Sequence, residues 1–580
     1  MKNYLKRYTD WIFLILFVVV ALVLLIQSND VLYMAQQHSL FIQGTVFGRQ
    51  CMGQIGGAIM WIGLLGTAMF HYPVLGIALL LIIWLINYLL IRQVFPLPEV
   101  WRWLWIIPLF ALLASIVDVG YWLYYMKHPG YWVRESVGVM CVLLMLLADR
   151  GRKGRIATLL SVAAYPLIGW YTTLSLSLLI VRQLLRRDYK ISILSFVALL
   201  LGPALIAKCY TNVQPGDAWF VHFPLFANWT CVGWSLTLPF VALVMALIIL
   251  CVTSYFQPQK GGRLIPWVGV ALVIIATIGV NRGNANFHAE NRMYRAIKEY
   301  RWEEVLKEMK QASEGPTRQM VCCKNLALLH TDRLTQMFDY DNIGPSPVVS
   351  DTLPVHLAHT IAPLLYLYHG LANDATHWSI ENSVEFGMSL DNLQILALAA
   401  IINGEPALTA KYLNMLSMAP FQTGFVRRYY PLVEHPEWIT EYPELALMVE
   451  LHGELSNLNM KDDGLCEWRI YKNFARVVGY KSRRAQELAL VYAMMLKDYV
   501  CIWPQLYNYA RFKKPNEIPM PVLEAAYLGC QLQPKEHPVE EFLFDKSLAD
   551  RFKRLRERKH PANDHSYWWF YFYCTHAQTY

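Results

Sequence analysis

The residues that could do chemistry in this chain are acidic, basic and histidine side chains beside long apolar segments. Asp30 follows the first apolar segment, and Arg134 with Glu135 opens a later one. A carboxylate in such a place can act as a general base towards a hydroxyl or amine, while Arg and Lys can hold a lipid-linked phosphate. The sequence therefore predicts Asp30 and Glu135 as catalytic residues. The predicted substrate-binding residues are Arg49, Lys127, His128, Arg134, Asp217 and His222, and the stretch after the last apolar segment adds the polar residues Arg282, His288 and Glu290.

The same residues also have structural interpretations, which the sequence leaves open. Asp30 can be a solvated cap at the end of the first segment, and Arg134 with Glu135 can anchor a helix end at the membrane surface. The histidines lack i, i+4 spacing and the cysteines form no CxxC pair, so the spacing does not support a zinc site or a divalent metal. Because no phosphate loop, dinucleotide fingerprint or nucleophile elbow is present, no cofactor is predicted.

Two stretches of different composition must position these residues. The chain has 580 residues, of which 56% are hydrophobic and 16% charged, against roughly 25% charged residues in soluble proteins. Residues 1–280 contain 19 Lys and Arg with 8 Asp and Glu, a balance of +11. Residues 281–580 contain 32 and 35, a balance of −3, which brings the total to +8. The composition predicts a membrane half, 1–282, and a soluble half, 283–580, with the basic excess in membrane loops and no nucleic-acid partner.

Apolar segments near the length of about 20 residues that spans a bilayer as a helix recur along the membrane half. The segment 156–185 has Pro166 and Gly169 at its middle and basic residues beyond both ends, which favours a hairpin of two short helices. Residues 56–72 are short and glycine-rich and predict a helix lying in the membrane interface. The predicted membrane segments are 11–27, 74–91, 101–126, 131–148, 156–185, 191–207, 236–256 and 264–280.

The basic residues near the N-terminus (Lys2, Lys6 and Arg7) place that end of the chain in the cytoplasm. With the hairpin, the chain has nine segments and its C-terminal half lies outside, in the periplasm of a Gram-negative cell. If 156–185 is one tilted helix, the count is eight and the C-terminal half is cytoplasmic. The hairpin is the favoured prediction. The protein is thus predicted to lie in the inner membrane with its C-terminal half in the periplasm.

The soluble half has the pattern of amphipathic helices joined by short turns. Residues 301–313 and 483–499 each place apolar residues at i, i+3, i+4 and i+7. No alternating run predicts a sheet, and the aromatic tail 566–574 is predicted to pack on the helices. The fold class is therefore all-α, a polytopic transmembrane helix bundle of about eight or nine segments followed by a soluble helical-repeat domain.

Three stretches carry a resemblance to a known family. They are QQHSLFIQGTVFGRQ, GGAIMWIGLLGTAMFHYPVLGIALLL and NFHAENRMYRAIKEYRWEEVL, and the chain resembles an uncharacterised family of bacterial multi-pass membrane proteins, a domain of unknown function. The membrane half also looks like a C-type (GT-C) glycosyltransferase, and the soluble half is similar to tetratricopeptide solenoids. The GT-C resemblance implies that Asp30 is the acidic residue of the first external loop and Glu135 that of the second. The chain departs from that pattern because only Asn29-Asp30, and no acidic pair, follows the first segment.

Two functions of different classes follow, and a third is disfavoured. The first is an enzyme that transfers a sugar or related group from a polyprenyl-phosphate-linked donor on the external face, with membrane lipid as a further partner. The alternative is a non-enzymatic, membrane-anchored scaffold whose helical-repeat domain binds an envelope protein or peptide. A transporter is disfavoured because the halves do not match and only Asp118 is predicted well inside a segment.

Overall fold

The computed structural model describes most of the chain. The described residues are 2–125, 130–149, 154–210, 213–223, 234–258, 262, 264–280, 284–310, 315–339, 343–344, 347–350, 353–455, 466–557 and 562–574. The first part contains α1 (Lys2–Gln27), α2 (Asn29–Gln37), α3 (Thr45–Met52), α4 (Gly57–Ala68), α5 (Pro73–Val94), α6 (Ile107–Val117), α7 (Tyr131–Ala148), α8 (Gly154–Ile168), α9 (Trp170–Leu185), α10 (Tyr189–Ala207), α11 (Trp234–Phe256) and α12 (Ile265–Val280).

The second part is also helical. It contains α13 (Ala285–Lys298), α14 (Trp302–Met309), α15 (Arg318–His330), α16 (Leu357–Thr360), α17 (Ala362–Tyr368), α18 (Ala372–Phe386), α19 (Leu390–Ile402), α20 (Pro406–Ser417), α21 (Thr423–Tyr429), α22 (Pro431–Glu434), α23 (Pro443–Leu455), α24 (Cys466–Arg476), α25 (Arg483–Met495), α26 (Tyr499–Ala510), α27 (Met520–Leu532), α28 (Lys546–Glu557) and α29 (Tyr567–Tyr573). A short antiparallel pair, β1 (Val348–Ser350) with β2 (Leu353–Pro354), interrupts them. The all-helical class is confirmed, and the pair is too short to change it.

Several helices of the first part are long and apolar enough to cross a membrane, as predicted. Among the described residues six pass by length and composition, or seven if α12 and α13, bent by 63°, are taken as one segment. Helices α8, α9 and α12 have 15, 16 and 16 residues, so they are shorter than a full span of about 20. Residues 156–185 form two helices that pack against each other. The chain reverses at Gly169, whose φ of 56° suits glycine.

Ion pairs gather the ends of several membrane helices at one end of the bundle. Asp10 in α1 pairs with Arg92 at the end of α5, at 3.8 Å between Nη2 and Oδ2. Asp149, which caps α7, pairs with Arg182 of α9 at 3.7 Å. The two pairs are neighbours, because the Arg182 guanidinium lies 5.9 Å from the centroid of the Phe95 ring that follows α5. We call this the basic end. From Asp10, α1 continues for seventeen residues to Gln27, about 26 Å along the helix, and Asp30 follows at the start of α2.

The second part packs on the opposite end of the bundle. The backbone N–H of Leu390 donates to the Ser39 carbonyl at 3.1 Å, and that of Gln43 donates to the Met418 carbonyl at 2.8 Å. One cluster of buried apolar side chains runs through both parts, from α1 to beyond α29. The predicted boundary at 282–283 falls on residues outside the described ranges.

Two further predictions can be compared with the structure. Asp118 is the cap that ends α6 rather than a residue within a span, so the expectation of an ionisable side chain well inside the membrane segment is wrong. The prediction for the aromatic tail is confirmed. Tyr567 and Trp568 are buried, and the Trp568 indole N–H donates to the Glu524 carbonyl of α27 at 2.6 Å.

Candidate polar site at the junction of the two parts

Helices α2 and α13 meet along a line of polar side chains, which we call the polar seam. On α2 its members lie at i, i+3 and i+7, and on α13 at i, i+3, i+7 and i+10, so each set occupies one helix face. The polar seam consists of Asp30, Tyr33 and Gln37 on α2 and of His288, Asn291, Arg295 and Lys298 on α13. Because the contacts advance in the same order along both helices, α2 and α13 run in the same direction.

The seam begins at Asp30, directly after the first membrane helix. His288 Nδ1 lies 2.9 and 3.0 Å from the two Asp30 carboxylate oxygens, and the Asn291 amide donates to Oδ2 at 3.0 Å. Because a carboxylate only accepts, Nδ1 carries the proton in this contact. The Asp30 side chain is 3% exposed, whereas that of His288 is 18% exposed. A carboxylate that fixes Nδ1 in this way orients the imidazole, so Nε2 can exchange a proton with another molecule.

The seam continues towards the second part through two further contacts. The Arg295 guanidinium lies 4.7 Å from the centroid of the Tyr33 ring. One turn later, Lys298 donates to Gln37 at 2.7 Å and to Asp391 of α19 at 2.5 Å. Lys298 of α13 therefore ties α2 to α19.

Beside this end of the seam lies a cavity of about 690 Å³, which we call the junction cavity. This volume falls in the range of roughly 300–1,000 Å³ typical of small-molecule sites. Residues of both parts form its walls. Its aromatic members are Tyr33, His71, Tyr72, Tyr300, Tyr368, Phe425 and Tyr429, and its charged members are Arg295, Lys298, Glu299, Arg428 and Glu444.

A second polar group lies where α7 begins. Arg134 is 1% exposed, and its Nη1 donates to His222 Nδ1 at 3.2 Å. Burial and the nearby Arg134 charge lower the pKa of His222 to about 3, so the imidazole is neutral and can accept this hydrogen bond. Nε and Nη2 of Arg134 have no hydrogen-bond partner within the described ranges. A buried guanidinium with unused donors is suited to an anionic oxygen.

Glycines allow the backbone to approach this guanidinium closely. A Cβ at Gly63 of α4 would lie 2.9 Å from the Arg134 Cβ, and one at Gly130 would lie 2.4 Å from the Gly63 carbonyl carbon. A Cβ at Gly56 would lie 2.2 Å from the His222 ring. The helix predicted over 56–72 thus forms as α4 followed by a short 3-10 helix, and it packs on the start of α7.

The predicted site residues fall into separate places. In the part of the chain that is described, no hydrogen bond or ion pair joins Asp30 to Arg134 or Glu135. Glu135 is buried and accepts from the Ser115 hydroxyl of α6 at 3.3 Å. Arg49 on α3 and Asp217 are exposed, and Lys127 and His128 lie outside the described residues.

Sequence reasoning named Asp30 and His288, but it did not name the other residues of the polar seam on α13. Asn291, Arg295 and Lys298 follow His288 at helical spacing, and this pattern was the available signal for a polar face on α13. On α2 the polar residues of the seam stand among apolar residues, so the sequence pattern does not reveal a polar face there. Among the described residues no group of three His, Cys, Asp or Glu could hold a metal ion.

The helix bundle, the polar seam and the junction cavity define the class: an all-α, multi-pass membrane protein with a second helical part packed on one end of its bundle. The sequence profile of a family of unknown function, DUF6057, matches residues 3–575. The chain belongs to that family. No curated protein and no solved structure matches it.

Proposed function

We propose that this protein is a membrane-embedded transferase that moves a sugar or related group from a lipid phosphate carrier to an acceptor at the external face. The observation that carries the proposal is the pairing of Asp30 with His288. It places an oriented, partly exposed imidazole beside a buried carboxylate at the end of a membrane helix. Such a pair is suited to general base catalysis.

The roles of the two residues follow from their contacts. The carboxylate of Asp30, first predicted as the base, already accepts hydrogen bonds from His288 and Asn291. We therefore assign the base to His288 Nε2, with Asp30 as the residue that positions it. Nε2 would take the proton of an acceptor hydroxyl or amine while that oxygen or nitrogen bonds to the sugar C1. The bond from C1 to the phosphate oxygen breaks, and the lipid phosphate leaves with the electron pair.

Arg134 is the proposed contact for an anionic oxygen of the lipid-linked donor. Among the described residues no hydrogen bond or ion pair joins it to the Asp30–His288 pair, so it binds the donor and takes no part in the proton transfer. Its guanidinium has two unused donor nitrogens, and His222, which accepts from the third nitrogen, is kept neutral. Glu135 stays a second catalytic candidate, because the Ser115 hydroxyl contacts only its Oε2, at 3.3 Å, and leaves other acceptor sites of the carboxylate unused.

The proposed orientation places the basic end in the cytoplasm and the polar seam outside. Supporting this, arginines of several loops meet Asp10 and Asp149 at one end of the bundle, as the excess of cytoplasmic basic residues in membrane proteins predicts. The two-helix form of 156–185 keeps both of its basic ends on that side. The second part then lies on the external side of the inner membrane.

The alternative proposal, a non-enzymatic scaffold, is favoured by exposed apolar side chains on the second part. Val500 and Tyr507 lie seven residues apart on α26 and are both exposed, as is Leu543 shortly before α28. Exposed apolar residues on a helical array are typical of protein-binding surfaces. A scaffold requires this surface and an intact membrane anchor, but it does not require the Asp30–His288 pair.

The test measures lipid-linked sugars in cells that lack the gene and carry one variant each. We expect the deletion to accumulate a lipid-linked donor, and Asp30→Asn and His288→Gln to leave it accumulated although both variants reach the membrane. Asp10→Asn is the matched control, because Asp10 is a buried carboxylate near the start of α1, whereas Asp30 lies just beyond the end of that helix. Wild-type pools with properly inserted Asp30→Asn and His288→Gln would exclude the enzyme and leave the scaffold.

A further inference from the structure

The junction cavity combines aromatic rings with charged groups that are already neutralised. Arg295 pairs with Glu299 at 2.9 Å, and Arg428 pairs with Glu444 at 2.5 Å. The third cation, Lys298, pairs with Asp391. Among its described lining residues, the cavity thus offers many hydrogen-bonding groups but no unpaired cation for a phosphate and no unpaired carboxylate for an amine.

The aromatic lining has the opposite character. Tyr72 is 56% exposed and Tyr300 is half-buried, with its hydroxyl oxygen 3.2 Å from that of the buried Tyr429. The ring face of Tyr33 is already occupied by the Arg295 guanidinium. Tyrosine presents an apolar ring face and a polar hydroxyl at the same surface. A ligand matched to this lining has apolar C–H faces, many hydroxyl groups and no net charge.

We propose that the junction cavity binds a short neutral glycan, with ring faces of the sugar against the tyrosines and hydroxyls against the paired charges. Planar Arg and Glu groups can each bind two adjacent hydroxyls, which gives a sugar a defined orientation. The assignment rests on the proposed function only for the role of that glycan as donor or acceptor. Binding itself is independent of catalysis, because no cavity residue is Asp30 or His288.

The cavity is accessible to such a ligand from outside. Tyr72 and Arg428 line it and are both more than half exposed. Tyr72 belongs to the membrane half and Arg428 to α21, so the opening lies between the two parts. A sugar attached to a lipid at the outer leaflet and a soluble glycan are both candidates for this opening.

A substitution that fills the cavity can test the proposal without removing any contact. Gly424 of α21 lines the cavity, and a Cβ built there meets no atom within 4 Å. We therefore expect Gly424→Phe to fold and to occupy the space with its ring. Gly453 of α23 is the matched control, since it is an exposed helical glycine away from the cavity with equally open surroundings.

The experiment applies the full-length protein, purified in detergent, to an array of defined neutral and acidic oligosaccharides. We expect binding to one or more neutral glycans, at least a tenfold loss for Gly424→Phe and wild-type binding for Gly453→Phe. Presenting the bound glycan free and on a polyprenyl phosphate then shows which form binds more tightly.

Three results would overturn the inference: no glycan bound, binding of acidic glycans alone, or equal binding by wild type and Gly424→Phe. Asp30→Asn separates this inference from the proposed function. If the enzyme assignment fails but the cavity binds a glycan, Asp30→Asn binds normally and the lipid-linked sugar pools are unchanged. If only the cavity assignment fails, Asp30→Asn changes the lipid-linked sugar pools, and the wild-type protein binds no glycan on the array.

Discussion

Lys298 holds α2 against α19 of the second part, and its removal should loosen both helices. Its Nζ lies 2.5 Å from Asp391 Oδ1, and both side chains are 12% exposed. Removing one partner of a buried ion pair costs about 3–5 kcal/mol, because the other charge stays buried. Asp391 keeps the hydrogen bond from the Tyr294 hydroxyl, so for Lys298→Met we expect the lower end, about 3 kcal/mol.

Substitution of the partner, Asp391→Asn, should cost less stability than Lys298→Met. In Asp391→Asn, Lys298 still donates to the amide oxygens of Gln37 and Gln394. The double variant leaves neither charge uncompensated, so its cost should fall below the sum of the single costs by at least about 1 kcal/mol, within the range seen for residues in contact.

Hydrogen exchange measured by mass spectrometry is the suitable assay, because it reports local opening in a large membrane protein. For Lys298→Met we expect amides of α2 and α19 to exchange roughly 100-fold faster, the equivalent of about 3 kcal/mol. Peptides of α27, which lies elsewhere in the second part, should not change. Strictly additive costs, or unchanged exchange in α2, would refute the claim that this pair joins the two parts.

Three further predictions concern other parts of the molecule. Gly130→Ala should lower the melting temperature by several degrees, because its φ of 71° and the 2.4 Å approach to Gly63 leave no room for a Cβ. In the control Gly202→Ala the new Cβ would lie 3.3 Å from a valine methyl, and the melting temperature should change little. Equal effects of the two substitutions would contradict this. Burial lowers the pKa of His369 to about 4, so its contribution to stability is complete above about pH 6.5 and decreases by roughly 3 kcal/mol as the pH falls to 4. Melting of His369→Gln should depend less steeply on pH in that range, and an unchanged slope would show that another group is responsible. Arg134→Gln should raise the KM for a lipid-linked donor at least tenfold with a smaller change in kcat, whereas an unchanged KM would remove Arg134 from the phosphate site.

Local signals in the sequence were sufficient to predict the all-helical membrane class and the two-helix form of residues 156–185. Charge and hydropathy separate the two halves, because a span can tolerate few ionised groups. Pro166 and Gly169 interrupt one long apolar segment, and the chain turns there as predicted, since only glycine adopts that backbone conformation readily. The end of α6 was less predictable, because the aromatic residues after Asp118 continue the apolar pattern in a 3-10 helix.

Contacts between distant segments could not be predicted in this way. Asp30 and His288 are 258 positions apart, and neither carries a local signal for the other. The sequence predicts Asp30, Arg134 and Glu135 as site residues from their common place at the ends of apolar segments, which fixes depth in the membrane but not position around the bundle. Burial then separates them, since each found a different partner on a different helix.

The seam also changes what a mutation at Asp30 can mean. If Asp30 were exposed, it would contribute little to stability, and loss of function in Asp30→Asn would by itself indicate a chemical role. A buried carboxylate that accepts from His288 and Asn291 contributes to docking of the second part as well. Asn291→Ala weakens the same docking contact while leaving the imidazole oriented by Asp30. The chemical role of the pair therefore rests on the comparison of these two variants. If Asn291→Ala impairs function as severely as Asp30→Asn, the seam acts by holding the two parts together. If Asn291→Ala retains function, the Asp30 carboxylate acts through His288.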